Sequence, residues 1–330
     1  MTKVKIICGS HFAPKGSSYE HRPGWVFTQD PGCSDYDWLL VFEDLADDGV
    51  GTMVNGYEPL VCPRERTIFC TWEPTSVKGY SKTFTRQFGH LLTNRPPEAE
   101  QHPHYHLGRG YFFWFNDRSH AENASVVIPQ KTKVVSAVCS TKRMKHTRHF
   151  ERYALMQTLA QEIEGFDWFG RGVRSFGKKY EVMDPYKYHV AVENHIAAHH
   201  WTEKLADALL CETLPFYAGD PAIGEILPLE CLIPIPIDDP VEAVRIVRSA
   251  ITAGEYEKRR DAILEAKRLI LDKYNFWDQV IAVIEASKDQ PLTPVDPSDP
   301  PRIYSRHGLR KHSLVATFED GWLHFKRGFR

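Results

Sequence analysis

Residues 186–219 read YKYHVAVENHIAAHHWTEKLADALLCETLPFYAG, and their layout decides the fold. The apolar run at residues 188–192 has strand character, and a polar segment follows it. Thr202 then stands where a helix N-cap belongs, because its hydroxyl can accept from a free N–H of the first turn. The spacing predicts a helix over residues 202–212, with Leu205, Ala208 and Leu209 on one face, and a second strand over residues 214–217. Strand, helix and strand in succession build a parallel sheet covered on both faces.

The same alternation extends outward. Strands are predicted at residues 134–139 (VVSAVC), 166–169 and 232–237, with a helix from about 150 to 163. Asp239-Pro240 reads as an N-cap followed by proline at the first helical position, opening a helix over residues 241–251. A long amphipathic helix is predicted over 254–274. The first half instead shows short apolar runs at residues 3–8, 38–42, 67–71 and 111–115, joined by loops rich in Pro and Gly. A chain of 330 residues exceeds the roughly 250–300 at which single cores stop growing, so two domains are expected. The polar stretch 116–125 places the boundary: residues 1–125, then 126–288, with a Pro-rich linker and basic tail over 289–330.

Composition narrows the function. Hydrophobic residues at 42% and charged residues at 25% fit a globular chain and argue against a mainly disordered one. With 41 Lys+Arg against 43 Asp+Glu, a surface devoted to nucleic acid is not expected. No apolar run approaches the ~20 residues of a membrane span. The opening MTKVKIICGSHF is too weakly apolar for a signal peptide, so a soluble cytoplasmic protein is expected. Seven cysteines without a CxxC read as reduced, buried thiols rather than a disulfide or zinc framework.

Two cations stand out. Lys204 lies in the first turn of its helix, where a positive charge opposes the helix dipole. A bound anion would reverse that penalty and meet free N–H groups there. Arg152 follows the strand VVSAVC through Ser140 and a basic loop carrying Arg143, Lys145 and Arg148. Ligands of open α/β sheets bind beyond the carboxyl ends of strands, so both side chains can reach one crevice. An ordinary capped helix and a solvated basic loop are the alternatives.

Together these stretches resemble family 10 glycosyltransferases, the α-1,3/1,4-fucosyltransferases. The resemblance rests on Tyr186-Lys187-Tyr188, Glu193-Asn194, Thr202-Glu203-Lys204, Pro215 and Gly219, which keep the family's order. Upstream, VVSAVCSTK with Arg152, and Gly170 in FDWFGRG, fit the same pattern. It is strongest over about residues 134–251. The resemblance implies a GT-B fold of two Rossmann-like domains facing across a cleft, the first serving the acceptor and the second the sugar nucleotide. It implies an inverting transfer of L-fucose from GDP-fucose to a saccharide or glycolipid acceptor. Arg152 and Lys204 would neutralise the diphosphate, and Asn194 and Glu203 would bind ribose or the transferred sugar. Ser140 would line the donor site, Gly170 would let the chain pass close to the nucleotide, and Glu193 would support the site. Glu73, in TIFCTWEPT, would be the general base, with Glu43 and Asp44 as runners-up. Two cations and a helix N-terminus make a divalent metal unnecessary.

The sequence departs from the family at Val192, His195 and His200, which leaves another GDP-sugar open as donor. A binding protein that has lost catalysis also stays open. Asp35-Tyr36-Asp37 is a DxD, yet it precedes an apolar run, whereas metal–diphosphate motifs follow one. His102, His104 and His106 alternate and would share a face if extended. Residues 131–145 with Arg171, Arg174, Lys178 and Lys179 are basic without a recognised RNA motif. The basic tail offers peripheral contact with anionic lipid or acidic glycan, a solvated tail being the default.

Overall fold

The computed structural model describes residues 1–8, 22–45, 56–75, 77–109, 116–142 and 148–328. The run expected as a strand at 111–115, and Arg143 and Lys145, lie outside them. The chain forms two compact units, one of Met1–Gly108 with Val280–Arg330 and one of Arg109–Gln279.

The first unit contains β1 (Thr2–Cys8), β2 (Trp25–Thr28), β3 (Trp38–Phe42), β4 (Tyr57–Pro59), β5 (Thr67–Thr71), β6 (His90–Thr93) and β7 (Tyr105–Leu107), with short helices α1 (Lys82–Thr85) and α2 (Pro97–Glu100). Six strands make one parallel sheet in the order β2-β1-β3-β5-β6-β7. Every residue of WLLVF and TIFCT is buried, as a strand covered on both faces requires. Phe69 of β5 packs on Tyr80, Phe84 and Phe88, with ring centroids 4.7–5.2 Å away.

The second unit contains α3 (His120–Ser125), β8 (Lys133–Val138), α4 (His149–Glu162), β9 (Phe166–Phe169), β10 (Tyr186–Val192), α5 (Glu203–Leu210), β11 (Leu214–Ala218), β12 (Ile233–Pro234), α6 (Pro240–Thr252), α7 (Glu255–Lys258) and α8 (Arg260–Asp272). Its five strands are also parallel, in the order β12-β11-β10-β8-β9. Asp239 caps α6 as expected, accepting from Glu242 N at 3.0 Å. The long helix expected over 254–274 is instead two, α7 and α8, broken at Arg259. A tertiary bond holds the bend: Tyr256 N donates to Tyr188 Oη at 3.1 Å. The strand expected at 232–237 shortens to two residues, since Pro234 and Pro236 have no N–H for a ladder.

The division of the chain differs from the sequence expectation at both ends. The polar stretch 116–125 belongs to the second unit. Asn116 and Asn123 exchange side-chain bonds at 2.6 and 3.2 Å, and Arg118 grips Asp184 with two, at 3.1 and 2.5 Å. The tail is not a solvated appendage. After α9 (Phe276–Ala286), the chain adds β13 (Arg302–Tyr304), α10 (Arg306–His312) and α11 (Leu314–Gly328) to the first unit. β13 pairs antiparallel with β4, in the register Ile303↔Glu58. Ile303, Leu309 and Ala316 are buried in the cluster that holds Leu39, Val41 and Phe69. Three buried apolar side chains spaced among basic residues gave the sequence reading little periodicity to use.

Candidate functional site

In the second sheet the chain starts at β8, steps out to β9, then crosses back to β10, β11 and β12. The order therefore reverses between β8 and β10, and ligands of such sheets bind at the carboxyl ends beside that reversal. A cavity of about 10 Å³ lies there, lined by Val138 and Cys139, by Arg152 and Met156 of α4, by Lys179, by His189, Val190 and Val192 of β10, and by Lys204 of α5. It holds about one water. Arg152 and Lys204, far apart in sequence, thus face one space.

Arg152 is 6% exposed. Its Nη2 donates to Cys139 Sγ at 3.2 Å, while its buried Nε has no partner among the described residues. Asn194 follows β10 by two residues, and its buried Oδ1 is likewise unpaired. An unmet buried polar group costs about 1–3 kcal/mol, more if charged, so two at one strand crossing call for a ligand. Ser140 is half-buried at the end of β8. Gly170 has φ +134°, and a Cβ there would sit 2.5 Å from the carbonyl oxygen of Cys139. What Gly170 demonstrably permits is this close passage of β9's exit past the Cys139–Ser140 peptide.

Lys204 is not an unneutralised cation. Its Nζ lies 3.3 Å from Glu193 Oε2 and 2.9 Å from Glu203 Oε1, and donates to Thr202 Oγ1 at 3.0 Å. Burial opposes its charge, but the Glu203 and Glu193 carboxylates more than offset that and hold its pKa up at about 12. Thr202 caps α5 through its hydroxyl, 3.4 Å from Lys204 N. Glu193 in turn accepts from Thr202 N at 2.8 Å and from Thr202 Oγ1 at 2.5 Å. Its side chain is fully buried, and burial pushes its pKa up despite Lys204. Glu193 therefore positions the start of α5. Glu203 also feels burial, yet Lys204 and then Lys179 bring its pKa below the usual range. The sequence reading named Lys179 only within a basic stretch; it lines the same cavity and pairs with the buried Asp207 at 2.5 Å. Nothing in its spacing marked it, since it arrives through a loop rather than a motif.

Beside this, a larger cavity of about 450 Å³ lies over the ends of β11 and β12, between Arg148, Ile196, Gly219, Leu229, Ile235 and Asp238 among others. Arg148, in the wall of this larger cavity, donates its N–H to Asn194 O at 3.2 Å.

In the first unit, Glu73 follows β5 and is half-buried. Its main chain is clamped on both sides. Its N–H donates to Glu43 Oε1 at 3.2 Å, and its carbonyl accepts from Arg95 Nε and Nη2 at 2.8 and 2.6 Å. Glu43, after β3, is 2% exposed and also accepts from Trp72 N at 2.9 Å, from Thr71 Oγ1 and from Tyr80 Oη. With its oxygens so occupied, Glu43 serves as an anchor. Asp44 beside it is pushed up to about 6 by burial, with Arg306 N and Lys78 pulling the other way. Glu43, a runner-up for the base in the sequence, thus holds the Glu73 main chain instead, and Arg95 is the neighbour that the sequence did not point to.

Other sequence candidates resolve into structure. Asp35 pairs with Lys3 at 2.6 Å, and Asp37 accepts from Lys3 N at 2.8 Å, so the DxD fastens the start of β1. The three alternating histidines have separate partners. His102 bonds Phe88 O at 3.2 Å, whereas the rings of His104 and His106 lie 5.4 and 5.2 Å from that of His90. The chain turns at Pro103 and His104 before β7 begins, which breaks the extended geometry. Among the described residues no group of three or more His, Cys, Asp or Glu is arranged to hold a metal ion. Arg174 pairs with Asp167 at 2.9 Å and covers Phe169, so part of the basic stretch is internally neutralised.

Buried cations and a capped helix start thus meet at the reversal of a parallel sheet, the place where ligands of such sheets bind. Residues 128–236 match the family model of glycosyltransferase family 10 (fucosyltransferase), C-terminal part. That segment carries the motifs around Asn194 and Lys204. No curated protein matches the chain in sequence. Among solved structures, an alpha1,3-fucosyltransferase with GDP-fucose is 16% identical, with 83% of this chain and 92% of that one covered and a TM-score of 0.45. A glycosyltransferase from Rickettsia africae is 7% identical, covers 88% and 99%, and has a TM-score of 0.48. A sucrose-phosphate synthase from Thermosynechococcus elongatus is 8% identical, covers 87% and 98%, and has a TM-score of 0.45.

Proposed function

We propose that this protein is an inverting glycosyltransferase that moves L-fucose from GDP-fucose to a hydroxyl of a saccharide acceptor. The observation that carries the reading is the pair of unmet buried atoms, Arg152 Nε and Asn194 Oδ1, beside Lys204 at the reversal of the second sheet. A diphosphate supplies acceptor oxygens for the guanidinium. A sugar or ribose hydroxyl supplies the donor that Asn194 Oδ1 lacks. Glu203 takes a second hydroxyl, and Ser140 and Gly170 shape the strand exits around the ligand.

In the transfer, Glu73 accepts the proton of the acceptor hydroxyl. The oxygen attacks the anomeric carbon, the bond from that carbon to the phosphate oxygen breaks, and GDP leaves with the electron pair. Arg152, Lys204 and the amides opening α5 stabilise the charge that develops on GDP, and no divalent metal is required for this.

A thermal-shift series with GDP-, UDP- and CMP-sugars tests the donor. A ligand that binds the native state raises the melting temperature. GDP and GDP-fucose are expected to do so. No shift with any of them, and no GDP released in the presence of varied saccharides, would sink the reading.

A further inference from the structure

Arg152 and Lys204 line one cavity and are held in opposite ways. Lys204 Nζ lies within 3.3 Å of two carboxylates, those of Glu193 and Glu203. Arg152, buried in the wall of the same cavity, has no carboxylate partner among the described residues. The one acceptor its side chain meets there is the sulfur of Cys139, 3.2 Å from Nη2. Its buried Nε stays without a partner. A guanidinium carries its N–H donors in a fixed plane, so a single bond to sulfur leaves Nε and the rest of the fork for the cavity.

Cys139 is itself 6% exposed and stands just past the end of β8. Its main chain is pinned on both sides. The N–H donates to Phe169 O at 2.9 Å, and the carbonyl accepts from Trp168 Nε1 at 2.8 Å. The thiol donates to Ser140 O at 3.5 Å, which leaves the sulfur lone pairs for Arg152. Sulfur is a weak acceptor. It orients a guanidinium without neutralising it, whereas a carboxylate in its place would cancel the charge and occupy the fork. A buried cation so weakly met is costly until an anion arrives.

We propose that Cys139 is a positioning residue for the donor diphosphate: its sulfur holds Arg152 so that Nε and the free edge of the guanidinium stay open to phosphate oxygens. The two cations then divide the work. Lys204, paired with Glu193 and Glu203, keeps the start of α5 in place, and Arg152 brings the uncompensated positive charge. The pinned main chain of Cys139 matters because a sulfur that wandered would let the fork turn away from the cavity. This role presupposes the GDP-sugar donor proposed above.

Calorimetric titration of the full chain with GDP tests it. Cys139→Ala should weaken GDP binding about 2–10-fold, the effect of having to order one freed side chain. Cys139→Ser restores an acceptor and should return most of that loss. Cys139→Asp should weaken binding about 100-fold, because its carboxylate pairs with Arg152 in place of the ligand. Its melting temperature without GDP should stay close to that of wild type. In an Arg152→Met background, Cys139→Ala should change GDP affinity by less than about twofold, the non-additivity expected of two groups in contact. Equal effects of Cys139→Ala in both backgrounds overturn the proposal, as does a Cys139→Asp variant that binds GDP like wild type. A packing role alone would lower the melting temperature of Cys139→Ala and leave its GDP affinity unchanged, which overturns it too. If Cys139→Asp fails to fold, the Ala and Ser variants and the double substitution decide on their own. Wild type without affinity for GDP removes the donor reading itself; wild type that binds GDP while the two substitutions simply add removes the role of Cys139 alone.

Discussion

The two sheets are built on one plan and finished with different charged groups past their strands. From one edge, each runs second, first, third, fourth and fifth strand of its own sheet, all parallel, and the first sheet adds a sixth. Each therefore has a reversal beside its first strand, where side chains past the carboxyl ends converge. In the second unit that edge carries Arg152, Lys204 and Lys179, with unmet polar atoms on Arg152 and Asn194. In the first unit it carries Glu43, Asp44 and, one strand over, Glu73, with Glu43 bonded on nearly every side. The same topology thus gathers cations at one edge, two of them paired with Glu193, Glu203 and Asp207, and carboxylates at the other. Strand order fixes where chemistry sits, and the residues just past each strand fix which chemistry it is.

The sharpest way to break that contrast is Glu73→Gln. If the first unit's edge supplies the base, turnover falls by about 10²–10⁴-fold, while the GDP-induced rise in melting temperature stays as in wild type. Full activity in this variant would return the role to Asp44, whose raised pKa suits a base.

Lys204→Met comes next and reads out as stability. It leaves Glu193 buried without its cation, a change worth about 3–5 kcal/mol. Denaturant unfolding should show the loss, and the added change Glu193→Gln should recover most of it. A single variant as stable as wild type would mean that the Glu193–Lys204 pair is not what holds the start of α5. Arg152→Met contrasts with it. Its Nε has no partner to lose, so the fold should keep or gain stability, while GDP affinity by calorimetry drops about 10–100-fold for one charged hydrogen-bonding group.

Gly170→Ala probes the scaffold under the same edge. With φ +134° and a Cβ 2.5 Å from Cys139 O, the change should cost about 1–3 kcal/mol and displace the Cys139–Ser140 peptide. An unshifted unfolding midpoint would contradict it.

The smallest effect is pH dependence. Burial, with lesser repulsion from Lys179 and Lys131, lowers the pKa of His189 to about 3; burial, with repulsion from His106 and His104, lowers that of His90 to about 4. Unfolded, both would take up a proton near 6.5. Below that pH the unfolded chain binds more protons than the folded one, so stability declines from pH 6.5 towards 4, by at most about 1.4 kcal/mol per pH unit for each group. A melting temperature flat over that window in His189→Asn, but sloped in wild type, would assign the slope to the second unit. Substituting His90 instead would test the first.

Much of this was legible in residues 186–219, for physical reasons. Continuous apolar runs such as WLLVF, TIFCT and VVSAV mark strands buried on both faces, and the structure places them at β3, β5 and β8 within a residue. Thr202 and Asp239 were readable as caps because capping is local chemistry. The strands β6 and β7 were not: HLLT and YHL are short, and their histidines interrupt any period.

The sequence by itself determined the α/β class and the segment around Asn194, Glu203 and Lys204 that matches the family model. These depend on patterns within a few dozen residues, where periodicity, capping and motif order act. Tertiary structure alone decided that Arg152 keeps an unmet Nε, that Glu193 and Glu203 neutralise Lys204, that Glu43 and Arg95 clamp Glu73, and that residues 280–330 complete the first unit. Each of those depends on which distant groups meet out of water, and burial, by weakening solvent screening, sets both the pairing and its cost.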